Sequence, residues 1–140
     1  MLLGEFRHSV DAKGRVHVPS KWREELKDGV VVTVGLERCL YVMTRERFEE
    51  RASQLEDLSP NRKANRDHNR LFFASASEEQ VDRSGRMNIP SGLRDYAGLR
   101  KEVILIGVSG RAEIWDRGVW AEYRKSVEGA YEAIAEQLDA

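Results

Sequence analysis

Two short stretches of the chain carry the same polar arrangement, Asp11-Ala12-Lys13-Gly14-Arg15 and Asp82-Arg83-Ser84-Gly85-Arg86. The glycine permits the positive φ of a tight turn, so its neighbours project at the tip. An Asp placed four residues before an Arg can accept from the turn's own backbone or from the guanidinium, which holds that Arg in one orientation. A guanidinium held this way offers a planar fork that matches the O6 and N7 of guanine in a major groove, or two phosphate oxygens. Lys13 and Arg83 lie within the same turns and suit phosphates, where they add affinity without base choice. The alternative is that each Asp–Arg pair only closes a hairpin, and a single copy would favour it. Recurrence of Asp, Gly and Arg around differing residues points instead to a task shared by both tips. On that reading Arg15 and Arg86 make the contact, while Asp11, Gly14, Asp82 and Gly85 form and orient the turns. Arg7 and Arg23 are weaker candidates, since either can pair with an acid such as Glu5 or Glu24.

The turns belong to a longer internal repeat. Residues 11–23 align without gaps on residues 82–94 at an offset of 71, with six of thirteen positions identical: Asp11/Asp82, Gly14/Gly85, Arg15/Arg86, Pro19/Pro90, Ser20/Ser91 and Arg23/Arg94. With one residue inserted, Val34-Gly35-Leu36 matches Ile106-Gly107-Val108, Leu40–Met43 matches Ala112–Trp115, and Phe48 falls on Trp120, all at an offset of 72. Each unit therefore reads as a strand, the Gly turn, a short strand (Arg15–Val18 or Arg86–Ile89), and a short helix. Pro19-Ser20 and Pro90-Ser91 mark the strand-to-helix change, with the Ser as N-cap, and Gly29 and Gly98 end the helices. Val30–Leu36 and Val103–Val108 are predicted buried strands, each followed by a hairpin and a return strand, Leu40–Met43 or Ala112–Trp115.

Outside the repeat the pattern is helical. Thr44–Leu58 and Pro60–Phe73 form a predicted helical pair, with Ser59 as N-cap and Pro60 at the first helical position. The run Arg62-Lys63, Arg66, Arg70 reads as a solvated face. From Asp116, a predicted N-cap, apolar residues recur at Trp120, Tyr123, Val127, Tyr131, Ile134 and Leu138, the stripe of an amphipathic helix. Core packing is the expected role of that stripe, and contact with a neighbouring subunit is the alternative.

At 140 residues, with 41% hydrophobic and 34% charged side chains, the chain has room for one compact domain or two small halves sharing a core. No apolar run approaches the roughly 20 residues of a membrane span. Glu5 and Arg7 interrupt any secretory core, so a cytoplasmic location is expected. One cysteine, Cys39, excludes an internal disulfide, and three scattered histidines have no metal-ligand spacing. No nucleophile with a base, metal constellation or phosphate loop is present, so neither an enzyme nor a cofactor is expected. His8 and His17 bracket the first turn without counterparts in the second and read as surface or packing residues. The net charge of −1 hides a local imbalance: Arg7–Arg23 holds five basic residues against one acid, whereas residues 128–140 hold four acids and no base. A polyanion responds to a basic face and not to the sum.

The segments Gly4–Arg23, Asp82–Pro90, Arg94–Leu99 and Glu102–Trp115, in this order and at these separations, resemble the MraZ family over essentially the whole chain. The resemblance implies an α+β fold of two AbrB/SpoVT-like swapped-hairpin units. These would form one pseudo-twofold β core, with helices between and after the repeats. Residues 1–58 would be the first unit with its following helix, 59–75 a linking helix, and 76–140 the second unit with the C-terminal helix. The implied activity is that of a nucleoid-associated transcriptional regulator, with repression the expected direction. Its target would be the division and cell-wall gene cluster, including its own gene. It would bind short G-rich direct repeats in double-stranded promoter DNA as a ring-shaped homo-oligomer, with no membrane, small-molecule or metal partner. Carried onto this chain, the family's turn motifs fall on Asp11, Lys13, Gly14 and Arg15 and on Asp82, Arg83, Gly85 and Arg86. The second turn reads Arg83-Ser84 where the family more often has Lys-Gln. An antitoxin-like or other protein-interaction module with the same fold is the alternative.

Overall fold

The computed structural model describes residues 1–139. Among the described residues, eight strands and six α-helices, with two 3-10 turns, run along the chain as two related series. The first is β1 (Leu2–Ser9), β2 (Arg15–His17), α1 (Arg23–Leu26), β3 (Val30–Val34), β4 (Leu40–Thr44), α2 (Arg45–Glu56) and α3 (Lys63–Ser75). The second is β5 (Ser77–Glu79), β6 (Arg86–Asn88), α4 (Ser91–Tyr96), β7 (Glu102–Ser109), β8 (Ala112–Asp116), α5 (Arg117–Gly129) and α6 (Tyr131–Ala135). Six strands make one sheet in the order β1-β7-β8-β4-β3-β5, and β2 pairs with β6 in a separate two-stranded ribbon. All of these pairs are antiparallel.

The two units exchange strands. β1 of the first unit pairs with β7 of the second, and β5 of the second pairs with β3 of the first. Across the middle, repeat-equivalent residues face one another: Tyr41 opposes Glu113, and Val16 opposes Met87. A local twofold axis through these two pairs relates the halves, so the swapped-hairpin arrangement implied by the family resemblance is the one adopted.

Alternation along the strands decides what each face does. Val30, Val32, Leu40, Val42, Val103, Leu105, Ala112 and Ile114 line the inner face and pack with Val16 and Met87 of the ribbon and with Trp22, Leu26, Leu93 and Ala97 of the short helices. Trp22 closes one end, edge-on to Phe6 at 5.2 Å between centroids, with its indole N–H donated to the Leu3 carbonyl at 3.1 Å. The outer face is covered unequally. Over the first half the α2–α3 hairpin buries Met43, Leu55 and Phe72 beside Phe48 and Phe73, and Thr33 donates to the Phe72 carbonyl at 2.7 Å. Over the second half α5 packs Trp120 edge-on and Tyr123 tilted against Trp115, at 5.1 and 4.9 Å between centroids.

Several expectations are corrected. Strand pairing places Val30 and Val103 in equivalent positions, each opposite the last residue of its return strand, Thr44 and Asp116. The offset on β3 and β7 is therefore 73 and not 72, because the connection after β3 is one residue longer. Glu37 and Arg38 take up that residue at positive φ, 60° and 62°. Ser20 opens a 3-10 turn, Ser20–Trp22, that leads into α1, and Ser91 is the first residue of α4; neither makes a side-chain cap, and Pro19 and Pro90 occupy the N-cap positions. α3 begins at Lys63, with Ser59-Pro60 in the preceding turn, where the Ser59 carbonyl accepts from the Asn65 amide at 2.9 Å. Asp116 does cap α5, accepting from Gly118 and Val119 N–H at 3.1 and 3.3 Å. That helix, however, breaks at Ala130, and its stripe is not core: neither α5 nor α6 buries a residue, and Tyr131 and Leu138 are 67% and 72% exposed.

Among the described residues no helix is long and apolar enough to cross a membrane, and no cluster of His, Cys, Asp and Glu could hold a metal ion. The Arg62–Arg70 run is exposed apart from the half-buried Arg66. Lys63 pairs with Asp67, and Arg66 donates to the Pro60 carbonyl.

Candidate nucleic-acid interface

The two turns are built alike, bond for bond. Asp11 Oδ1 accepts from the N–H of Lys13 and of Arg15, both at 2.9 Å, and Oδ2 accepts from Arg15 Nε at 3.0 Å. Asp82 Oδ1 accepts from Ser84 and Arg86 N–H, both at 2.9 Å, and Oδ2 from Arg86 Nε at 3.1 Å. Gly14 and Gly85 return their N–H to the Asp carbonyls at 3.0 and 2.9 Å, with φ of 80° and 79°. These hydrogen bonds, the one from the Arg backbone N–H foremost, hold both carboxyls below the usual Asp range. Each Asp therefore stays ionised and keeps its Arg oriented. Among the described residues only Nε of each guanidinium is hydrogen-bonded, which leaves both Nη groups of Arg15 and Arg86 without a partner.

The ribbon sets where these groups sit. Arg15 opposes Asn88 and His17 opposes Arg86, while Val16 and Met87 lie between them. With a side-chain period of two, Arg15, His17, Arg86 and Asn88 share the outer face, and Val16 and Met87, each 1% exposed, share the inner one. Burying those two side chains contributes roughly 1.5–3 kcal/mol each. A one-residue slip would turn the arginines into the core, so burial fixes the register of the polar face. Strand geometry puts the Cα atoms of Arg15 and Arg86 about 8 Å apart.

Each turn is braced by the other unit. Val18 N–H donates to the Gly85 carbonyl at 2.7 Å, and Ile89 N–H donates to the Gly14 carbonyl at 2.9 Å. The Arg94 guanidinium lies against Gly14 and the Arg23 guanidinium against Gly85, so close that a methyl group at either glycine would meet it at 3.0 or 2.3 Å. Arg23 and Arg94 are held in turn by Nε donation to the carbonyls of Val18 and Ile89, at 3.0 and 2.9 Å. Arg23 thus belongs to the turn region and is not paired with Glu24, whose partner is Lys27. Arg94 was identical to Arg23 in the repeat, and that identity was the signal that could have nominated it. His17 and Asn88 also join the face, and strand alternation alone could have placed them there.

Arg7 stands apart. It lies on β1 opposite Ile104, on the exposed side of that strand near α5, where Glu5 is held by Trp120 and Arg124. Lys13 and Arg83 both lie in the turns but one position out of register, since the repeat partner of Lys13 is Ser84. The two turns and the arginines that brace them therefore bring six basic residues, Lys13, Arg15, Arg23, Arg83, Arg86 and Arg94, together with two carboxylates, Asp11 and Asp82. His8 stacks on His17 at 6.4 Å, and burial, helped by His17 and Arg23, pushes its pKa down.

Comparison with known proteins agrees with the repeat. The family described as "MraZ protein, putative antitoxin-like" matches residues 1–71 and again residues 72–139. A protein of Caldanaerobacter subterraneus subsp. tengcongensis named "Transcriptional regulator MraZ" is 46% identical over 139 residues, covering 99% of this chain and 97% of its own. Proteins of the same name from Thermobifida fusca and Natranaerobius thermophilus are 46% and 43% identical over 138 residues, each covering 99% of this chain and 96% of their own.

Proposed function

Since this chain belongs to the MraZ family, we propose that it is a DNA-binding transcriptional regulator whose reading head is the outer face of the β2–β6 ribbon. The observation that supports this most is the convergence of two identically built Asp–Arg turns on one two-stranded ribbon. A major groove about 12 Å wide admits such a ribbon. Two arginines about 8 Å apart span roughly two base-pair steps at 3.4 Å each, so both forks reach base edges in a single groove. Arg15 and Arg86 take guanines, Asn88 offers an amide to a neighbouring base, and Lys13, Arg83, Arg23 and Arg94 take phosphates. No step of this activity requires catalysis or a cofactor.

One such head makes few base contacts and binds weakly by itself. We infer that copies of the chain assemble as a ring and engage successive G-rich direct repeats, each further contact forming at high effective concentration. Spacing of the repeats then contributes to specificity along with their sequence. The target we favour is the promoter of the division and cell-wall cluster that includes the chain's own gene, with repression as the outcome and the nucleoid as the site of action.

The test is fluorescence anisotropy on duplexes carrying one, two or four G-rich repeats against scrambled controls at physiological salt. Affinity should rise steeply with repeat number. Arg15→Ala should cost roughly 1–3 kcal/mol of discrimination per contact, or about 5–150-fold, compounding over engaged copies. Equal binding to repeat and scrambled duplexes, or an unchanged preference in the variant, would overturn the proposal.

A further inference from the structure

The ribbon face repeats its arginines but not the residues beside them. Asn88 lies directly across from Arg15, and His17 directly across from Arg86. Facing residues of an antiparallel pair have Cα atoms about 5 Å apart, against about 7 Å between residues two apart on one strand. Each arginine therefore has one nearest companion on the outer face, and the companions differ: an amide beside Arg15 and an imidazole beside Arg86. The local twofold axis carries Arg15 onto Arg86 and His17 onto Asn88, so at these two side chains the face departs from that symmetry.

Both companions are exposed. Among the described residues no hydrogen bond ties either side chain to the fold, and His17 has a stack instead. Its ring lies by that of His8, with 6.4 Å between centroids and 29° between planes. His8 comes from β1 and is half-buried, so it is the fixed member of the pair and His17 the one that faces outward. The position matching His8 in the second unit holds Glu79, whose carboxylate accepts from the Ser77 hydroxyl.

The two companions offer different chemistry to a base. An amide sets a donor beside an acceptor and matches the N7 acceptor and N6 donor of adenine. An imidazole always carries at least one N–H donor, and guanine places two acceptors, N7 and O6, side by side in the major groove where adenine has one. Lys13 and Arg83 also break the symmetry, but contacts to phosphate carry no base choice and cannot replace this pair.

We propose that His17 reads a guanine next to the one taken by Arg86, that Asn88 reads an adenine next to the guanine taken by Arg15, and that these unlike companions give the head a direction along the duplex. The inference rests on the reading head proposed above and names the residues that set its order of bases. A face with equal halves looks the same after half a turn about its axis, so it cannot distinguish the two senses of a duplex. With an imidazole in one half and an amide in the other, it can.

His17→Asn tests this, because it makes the four outer side chains equal in both halves. The unaltered chain, His17→Asn and Arg15→Ala/Arg86→Ala are each taken through selection of bound duplexes from a random pool at physiological salt, and the selected boxes are compared by competition with single-base changes. The unaltered chain should select two guanines whose neighbours differ. His17→Asn should keep those two guanines and change one neighbouring position from guanine to adenine, with a preference of about fivefold or more in each direction, the lower end for a base contact. His17 is exposed, so the variant should fold, as circular dichroism would verify; His17→Ser serves if it does not, and should leave that position indifferent. If the His17 variant selects the same box as the unaltered chain while the double arginine variant selects none, the direction falls and the head stands. If the double arginine variant selects the same box as the unaltered chain, or the unaltered chain selects none, the head itself falls.

Discussion

Gly85→Ala and Gly14→Ala make the same chemical change at equivalent turns, yet the structure predicts unequal costs. Both glycines have φ near 80°, and an L-residue in that region costs about 1–2 kcal/mol. The difference lies in the bracing arginines. A methyl group at Gly14 would stand 3.0 Å from the Arg94 guanidinium, which a shift of a few tenths of an ångström relieves. At Gly85 the methyl would stand 2.3 Å from Arg23 Cζ, so that guanidinium has to leave and its bond to the Val18 carbonyl is lost. A hydrogen bond of this kind contributes roughly 0.5–1.5 kcal/mol. Gly85→Ala should therefore cost about 2–3 kcal/mol and Gly14→Ala about 1–2 kcal/mol. Urea denaturation of the two variants, and of each combined with Arg23→Ala, measures both the difference and its source. Removing Arg23 first should lower the cost of Gly85→Ala by roughly 0.5–1.5 kcal/mol and leave Gly14→Ala unchanged. Equal costs for the two glycines, or coupling of Gly85 to Arg94 in place of Arg23, would refute the cross-bracing of the turns.

Other consequences are open to direct measurement. Asp116→Ala removes the cap of α5 and strands Arg100, which donates to that carboxylate at 3.1 Å; it should cost about 1–2 kcal/mol in the same urea assay. Although burial acts to raise the Asp116 pKa, hydrogen bonds from Arg100 and Val119 leave it lowered. Its stabilising share is present above the unfolded-state value and lost as pH falls through the folded one, and Asp116→Asn should flatten that acid limb. Burial, reinforced by the nearby Glu113, pushes the Cys39 thiol far up, so a thiol reagent at about pH 8 should leave the native chain unmodified and label it fully in denaturant. Burial depresses the His8 pKa in the fold, so the unfolded chain takes up a proton there more readily and stability should fall as pH drops through the unfolded-state value of 6.5 towards the lower folded one. His8→Gln should remove part of that fall.

The turns were legible because their chemistry is local. Asp, Gly and Arg within five residues close a set of bonds that needs no distant partner, and both copies adopt it. The strand exchange was accessible only through the family resemblance, since no residue type dictates which copy of β3 or β7 receives β1. The equivalence of β3 and β7 escaped because glycine matching favoured Gly35 with Gly107, whereas the pairing of Val30 with Thr44 and of Val103 with Asp116 puts the two valines in equivalent places. Arg94 escaped for a related reason: its role depends on Gly14 of the other unit, eighty residues away in sequence. The C-terminal stripe was detected with the right spacing, but periodicity reports an apolar face and not what covers it. Gly129-Ala130 then ends α5 and sends the rest of the stripe clear of the sheet.

The central claim is that Arg15 and Arg86 on the ribbon read DNA. Selection of bound duplexes from a random pool at physiological salt, run in parallel for the unaltered chain and for Arg15→Ala/Arg86→Ala, tests it most directly. The account predicts that the unaltered chain enriches G-containing boxes repeated at a regular spacing and that the double variant, still folded, enriches none. Enrichment of the same boxes by both proteins, or of none by either, would contradict it and leave the turns as hairpin closures.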